Sequence, residues 1–378
     1  MVGPEHKEFF NGIIGSVGAF IALITAPIAG ALSDRSTNPY GKRRPYILVG
    51  VIFNIIFLLL MPSFGKGSSL WLFILCYTGV QFGCNWWGGP YAGLIPDLVP
   101  ESQRGRASGF MMLMTALGVT TGALAAGFLI AFRGGLLIYL LIALTLIITL
   151  AITLIGVREQ RSTKFTERFN LRQFARSFML RPSMYREFYI VLVTRAFIMR
   201  GIYSVFIFFQ YFLRDVVQVS DPIEKSSLLI GVITVAGIPS SIIAGELSDR
   251  YGRKRLVYIS GSIMIIATAI LIFINFNPSW YLTLLVGLLF GIGNGAYHSV
   301  DWALAIDVLP SRDTAAKDMG IWHIAIVLPQ VLAPALTGLI IELLKSTSLQ
   351  LGYTTVFITT VIWFISGTIL IRRIQTIK

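Results

Sequence analysis

Charge is scarce in this sequence: 13% of its 378 residues are Asp, Glu, Lys or Arg, against 55% hydrophobic. A soluble chain covers its surface with about a quarter charged residues, so a soluble globular protein is excluded. Cysteine is nearly absent. Cys76 and Cys84 are the only two; on one helix they stand about 12 Å apart, too far to bridge, and they say nothing of redox compartment. The three histidines form no metal-ligand cluster. No nucleotide-binding loop is present either, because Gly291-x-Gly293 lies inside an apolar run rather than after a strand. Neither an enzyme nor a cofactor is expected. The short alternating segments of a membrane β-barrel are missing. The opening MVGPEHKEFFNG lacks the basic region and apolar core of a cleavable signal.

What remains is apolar residues in blocks of about 20, the length of a membrane-crossing helix, at a mean hydropathy of +0.75. Eleven spans can be read: 13–32, 45–61, 70–95, 107–132, 136–157, 188–213, 228–247, 256–276, 280–306, 319–344 and 353–371. The fold class is an all-α polytopic membrane protein. The longest polar stretch separates an N-terminal bundle (1–157, five spans) from a C-terminal bundle (188–378, six spans). In that linker, 158–187, Phe165, Phe169, Phe174 and Phe178 alternate with basic residues. They suit a helix on the membrane surface or a partly disordered connection.

The net charge of +13 would suggest nucleic acid in a soluble protein. Here the basic residues sit in loops: 23 of the 31 fall on one side of the spans and six on the other, with Arg195 and Arg200 inside a span. The positive-inside rule then places linker and C-terminus in the cytoplasm of a cell (inner) membrane, with Met1 outside. The partners are the lipid bilayer and a small molecule, not nucleic acid, and the chain is expected to act as a monomer.

Two stretches repeat. Gly30 to Tyr46 reads GALSDRSTNPYGKRRPY, and Gly245 to Arg255 reads GELSDRYGRKR. A second pair, Asp97-Leu-Val-Pro100 and Asp307-Val-Leu-Pro310, is offset by 210 residues, while Asp34 and Asp249 are offset by 215. The halves therefore run in parallel on one plan. One span precedes the first hairpin and two precede the second, so the first half lacks its opening helix. A late start leaving an apolar run upstream of Met1 and a genuine eleven-span protein are both open readings.

GELSDRYGRKR resembles the signature loop of the major facilitator superfamily, which has twelve spans in two six-span bundles. Asp34-Arg35, five residues, then Gly41-Lys42-Arg43-Arg44-Pro45-Tyr46 is similar to the sucrose–proton symporters and the wider glycoside–pentoside–hexuronide:cation symporters. Asn85, Gly89, Pro90, Leu94, Asp97 and Leu98 resemble the fourth helix of the sucrose carriers. The resemblance implies two pseudo-symmetric bundles and sugar transport coupled to H+ or Na+. It also sets Gln81, which cannot exchange a proton, where those carriers have an aspartate implicated in coupling.

Residue by residue, the hairpins offer a cytoplasmic gate: Asp34, Arg35, Gly41, Arg43 and Arg44, with Asp249, Arg250, Gly252, Arg253 and Arg255. A carboxylate at a helix end can pair with a facing terminus and hold the halves together; plain topological anchoring accounts for Lys42 and Lys254. His298 and Asp301 share a helical face with Asn294 and form the candidate coupling pair, the alternative being a satisfied structural pair. Arg195 reads as snorkelling to the membrane surface. Arg200, deeper in the span, needs a carboxylate such as Asp301 or an anionic ligand. Gln81, Asn85, Trp86 and Trp87 supply amides and aromatic faces suited to a sugar, and with Arg200 and Asn294 they form the candidate substrate site. Gly118, Gly122 and Gly127 read as close helix packing. The expected function is a secondary active sugar or glycoside symporter working by alternating access. The alternatives are a proton-driven exporter of amphipathic compounds and a non-transporting sensor.

Overall fold

The computed structural model describes residues 7–64, 70–133, 136–159, 185–206, 208–345 and 347–375; the linker phenylalanines lie outside these. The long helices are α1 (Lys7–Asp34), α2 (Arg44–Leu60), α3 (Leu70–Ala92), α4 (Arg104–Arg133), α5 (Leu136–Gly156), α6 (Arg186–Phe206), α7 (Pro222–Tyr251), α8 (Arg253–Phe276), α9 (Trp280–Asp307), α10 (Ala315–Lys345) and α11 (Leu349–Leu370). Local signals set several starts. Ser279 and Ser348 accept the Leu282 and Leu351 N–H groups as N-caps, and Pro45 occupies the opening turn of α2, where its missing N–H costs nothing.

Among the described residues nine segments are long and apolar enough to cross a membrane, and α3 and α4 are not among them. The expected eleven-span, five-plus-six count is therefore not established. For α3 the reason is compositional: Gln81, Asn85, Trp86, Trp87 and four glycines dilute its apolar run. The outer faces suit lipid. On α5, Ile148, Ile152 and Ile155 are 50%, 65% and 80% exposed, a stripe that water would penalise.

The chain packs as two compact units: Met1–Leu98 with Thr121–Met184 and Leu309–Val327, and Val99–Thr120 with Tyr185–Val308 and Leu328–Lys378. In the first, α3 lies against both α1 and α2. Its glycines make the room: a Cβ at Gly79 would enter the Phe57 ring, one at Gly83 would strike the Asn54 backbone, and one at Gly89 would lie 2.2 Å from the Ala26 carbonyl oxygen. Asn54 Nδ2 donates across to the Val80 carbonyl at 3.3 Å. In the second unit α9 packs on α7 and α8, while α11 packs on α6 and α8. Gly291 and Gly295 of α9 meet the carbonyls of Ile233 and Gly237. Lipid gives no hydrophobic drive between helices, so such close backbone approach is how they cohere. Among the described residues a Cβ at Gly118 or Gly122 of α4 would meet nothing within 4 Å, so close packing at these two is not seen there; the surroundings of Gly127 lie outside what is described.

Candidate functional site

Asp34 ends α1 with its carboxylate buried. It accepts the Ala316 N–H at 3.2 Å and the Lys317 N–H at 2.9 Å, in the opening turn of α10. Those N–H groups have no partner within their helix, and the helix dipole is positive there, so a carboxylate is the fitting cap. Arg43 turns back from the hairpin. Its Nη2 lies 2.6 Å from Asp34 Oδ1, its Nε donates to Asp97 Oδ2 at 2.9 Å, and its Nη1 donates to Ser33 Oγ at 2.6 Å. Ser33 in turn donates to the Gly30 carbonyl. Lys42 Nζ reaches Asp97 at 3.0 Å. Burial works against the charge on Arg43, but the Asp34 and Asp97 carboxylates outweigh it and lift its proton affinity above the ordinary guanidinium value. Arg43 is a fixed cation.

The second repeat builds the same wiring. Asp249 accepts the Gly105 and Arg106 N–H groups, both at 2.9 Å, at the start of α4. Arg253 lies 2.5 Å from Asp249 and donates to Asp307 at 3.1 Å and to Ser248 Oγ at 2.5 Å. Ser248 donates to the Gly245 carbonyl. Arg104 adds a 2.8 Å bond to Asp307. Gly41 and Gly252 both turn the hairpin at positive φ (108° and 97°), a region open to glycine. The five extra residues between the 215 and 210 offsets all lie in the first hairpin. That longer loop receives Glu159, whose carboxylate accepts the Arg43 and Arg44 N–H groups at 3.0 Å; Arg44 also donates to the Leu154 carbonyl.

Of the gate arginines expected from sequence, Arg43 and Arg253 reach the aspartates, and Arg35 and Arg250, next to them in the chain, do not. Arg35, half-buried just past α1, donates to the Ala31 carbonyl at 3.3 Å, and the exposed Arg250 lies 3.7 Å from an exposed Glu246. Arg255 is exposed. A neighbour in the chain points about 100° away around a helix, whereas the hairpin brings Arg43 and Arg253 back over the carboxylates. Asp97, Asp307, Arg104 and Glu159 were not among the expected site residues. The 210-residue offset that Arg43 and Arg253 share with Asp97 and Asp307 is the signal that could have found the first two.

Small residues set each latch in register. A Cβ at Gly30 would lie 2.5 Å from the Ala316 carbonyl oxygen, and one at Gly320 would lie 2.7 Å from Pro27 Cα. In the second latch a Cβ at Gly245 would lie 2.4 Å from the Gly105 carbonyl oxygen, and one at Gly109 would lie 2.9 Å from that of Ser241. Gly30 and Gly245 each precede their aspartate by four residues, one turn of helix. The backbones meet one turn before the carboxylate reaches the terminus.

Inside the second unit Asp301 is fully enclosed. It pairs with Arg195 and accepts the Tyr297 hydroxyl at 3.1 Å. Arg195 is therefore not snorkelling but buried. Arg200 is not the partner of Asp301 either, since it donates to Ser204 and Thr337. His298 is half-buried beside the Tyr297 ring, and both Asp301 oxygens are taken by other groups. Asn294 keeps a buried Oδ1 without a hydrogen bond among the described residues.

On α3, Gln81 donates to Tyr77 at 2.8 Å and Asn85 donates to the Gln81 carbonyl at 2.8 Å. Trp86 stacks between Phe82 and Tyr46. Trp87 packs on the Ile47, Val51 and Leu94 cluster. Both amides are thus engaged within their own helix, while the buried indole N–H groups of Trp86 and Trp87 make no hydrogen bond among the described residues.

A family profile described as Major Facilitator Superfamily matches residues 6–316 and, in a second placement, 227–376. The chain belongs to the major facilitator superfamily. Superfamily members are transporters, and the likeness extends to solved folds. The fucose transporter FucP in its outward conformation aligns over 97% of this chain and 91% of its own, with a TM-score of 0.74 at 12% identity. Among curated superfamily relatives, the multi-drug resistance efflux pump PmrA of Streptococcus pneumoniae is 23% identical over 78% of this chain and 70% of its own. The sucrose transport protein SUC3 of Arabidopsis thaliana is 28% identical, over 32% of this chain and 23% of its own. Membership of the superfamily stands; the sugar-symporter subgroup does not follow from it.

Proposed function

We propose a secondary active transporter that moves an amphipathic organic compound by alternating access, driven by H+ or Na+, with all eleven long helices crossing the membrane. The observation that carries it is the doubled latch. A carboxylate seated on helix N–H groups is strong enough to hold and simple to release, and two such seats on one plan suit a gate that closes and opens as a whole. The basic excess puts both latches on the cytoplasmic side. The cargo follows from what is engaged. The amides of Gln81 and Asn85 are hydrogen-bonded within the protein, which favours apolar contact over hydroxyl recognition, and the likeness to PmrA spans most of the chain. A sugar cargo remains the second reading, supported by the Asn294 acceptor and the Trp86 and Trp87 indole N–H groups, which make no hydrogen bond among the described residues, and by the SUC3 match.

Reconstituted vesicles decide between them. Under an imposed pH gradient, export of an amphipathic dye is expected, with no accumulation of labelled sucrose, maltose or melibiose. Sugar accumulation without dye movement reverses the assignment, and movement of neither, under a pH or a Na+ gradient, removes both cargo readings.

A further inference from the structure

The first latch contains a charged pair that the second does without. Counting from the capped N–H groups, Ala316 and Lys317 correspond to Gly105 and Arg106, so Asp318 corresponds to Ala107. Arg106 is exposed and Ala107 carries no charge. Lys317 and Asp318, by contrast, are 6% and 0% exposed. Lys317 Nζ lies 3.2 Å from Asp318 Oδ1, and Thr314 Oγ1 donates to Asp318 Oδ2 at 2.7 Å. The charged groups around the pair are Asp34 from α1 and Arg43 from the hairpin, with Asp97 and Lys42 behind Arg43. A latch of this wiring closes without a carboxylate at this place, as the second one does. Asp318 is surplus to holding it shut.

We propose that Asp318 is a proton-binding site that tightens the first latch when it takes up a proton. The inference rests on the transporter reading above and names H+ as the ion that drives it. As a carboxylate, Asp318 repels Asp34 and competes with it for the positive end of α10, two like charges in a setting where solvent screens them poorly. A proton from water converts it to a neutral acid, which still has an oxygen to accept the Thr314 hydroxyl. The repulsion that Asp34 feels at the start of α10 is then removed. Proton uptake thus draws Asp34 more firmly onto the α10 terminus, and proton release loosens it. The second latch, with Ala107 in the equivalent place, has no such control.

A reporter that needs no cargo tests this. With Cys76 and Cys84 replaced by serine, Ala315→Cys places a thiol at a fully enclosed position of the first latch. Its labelling by an impermeant maleimide in inside-out vesicles is compared with that of the same protein unfolded at the same pH. In the parent the normalised labelling is expected to fall severalfold from mildly alkaline to mildly acidic buffer. Asp318→Asn, which mimics the protonated form, should label slowly at both, and Asp318→Glu should restore the dependence. Asp34→Asn, labelling fast at both, shows that the reporter reads the latch. A parent without pH dependence, or an Asp318→Asn protein that keeps it, overturns the proposal. If labelling behaves as expected but vesicles move neither dye nor sugar, the cargo reading fails and the proton site stands.

Discussion

Asp301 had two arginines of α6 within sequence reach, and it pairs with Arg195 rather than Arg200. A charge inside an apolar span announces itself, because burying it alone is costly. Its partner does not, since five residues put the two arginines on different faces and only the rotation of α6 against α9 decides. The pairing makes a stability prediction. Removing one member, as in Asp301→Asn or Arg195→Gln, leaves a buried charge uncompensated and should cost about 3–5 kcal/mol. Replacing both at once with apolar residues should recover most of that. Denaturant unfolding in detergent measures the cycle; additive losses would show that the two do not act as a pair. The hairpin arginines separate in the same way. Arg43→Gln should destabilise strongly, whereas Arg250→Gln, exposed beside an equally exposed Glu246, should stay within about 0.5 kcal/mol.

At the scale of helices, glycine gives the sequence two meanings that look alike. Gly122 sits in an apolar run as Gly30 and Gly245 do, yet among the described residues only the latter two lie against another backbone. Periodicity reveals a small-residue face but not whether anything covers it. Gly122→Ala should therefore be neutral or stabilise α4 by about 0.5–1 kcal/mol. Gly245→Val should wedge α7 from the start of α4, costing about 1–3 kcal/mol by overpacking, and Gly30→Val should do the same between α1 and α10. Both valine variants should leave their latch aspartate short of its N–H groups, read as faster cysteine labelling at Ser108→Cys or Ala315→Cys. Equal behaviour of Gly122→Ala and Gly245→Val would show that the close approach is unimportant. Most helices were legible because apolar length is a local property. The polar α3 was legible too, though its amides and tryptophans turn inward to Tyr77, Phe82 and the Ile47 cluster, which no local reading reveals.

For the whole molecule, the repeat was the most informative feature of the sequence, and its two offsets of 210 and 215 showed halves running in parallel. What it could not give was which helix start each aspartate reaches, since Asp34 and Ala316 lie 282 residues apart. If the latches are gates, Asp34→Asn and Asp249→Asn should each weaken a charge-assisted contact by about 1–3 kcal/mol, enough to change conformer ratios severalfold. Accessibility at the latch should rise in each variant and rise further in both together. Full transport with unchanged accessibility would reduce the aspartates to capping groups.

The wiring is also reciprocal with respect to the linker. The sequence before it supplies the Asp34 carboxylate and the α4 terminus; the sequence after it supplies the Asp249 carboxylate and the α10 terminus. Each side of the chain thus gives one handshake and takes one. Cut anywhere in 160–184 and produced as two separate polypeptides, the protein should find itself again in the membrane and copurify. Asp34→Asn on one fragment with Asp249→Asn on the other should let go of both hands at once.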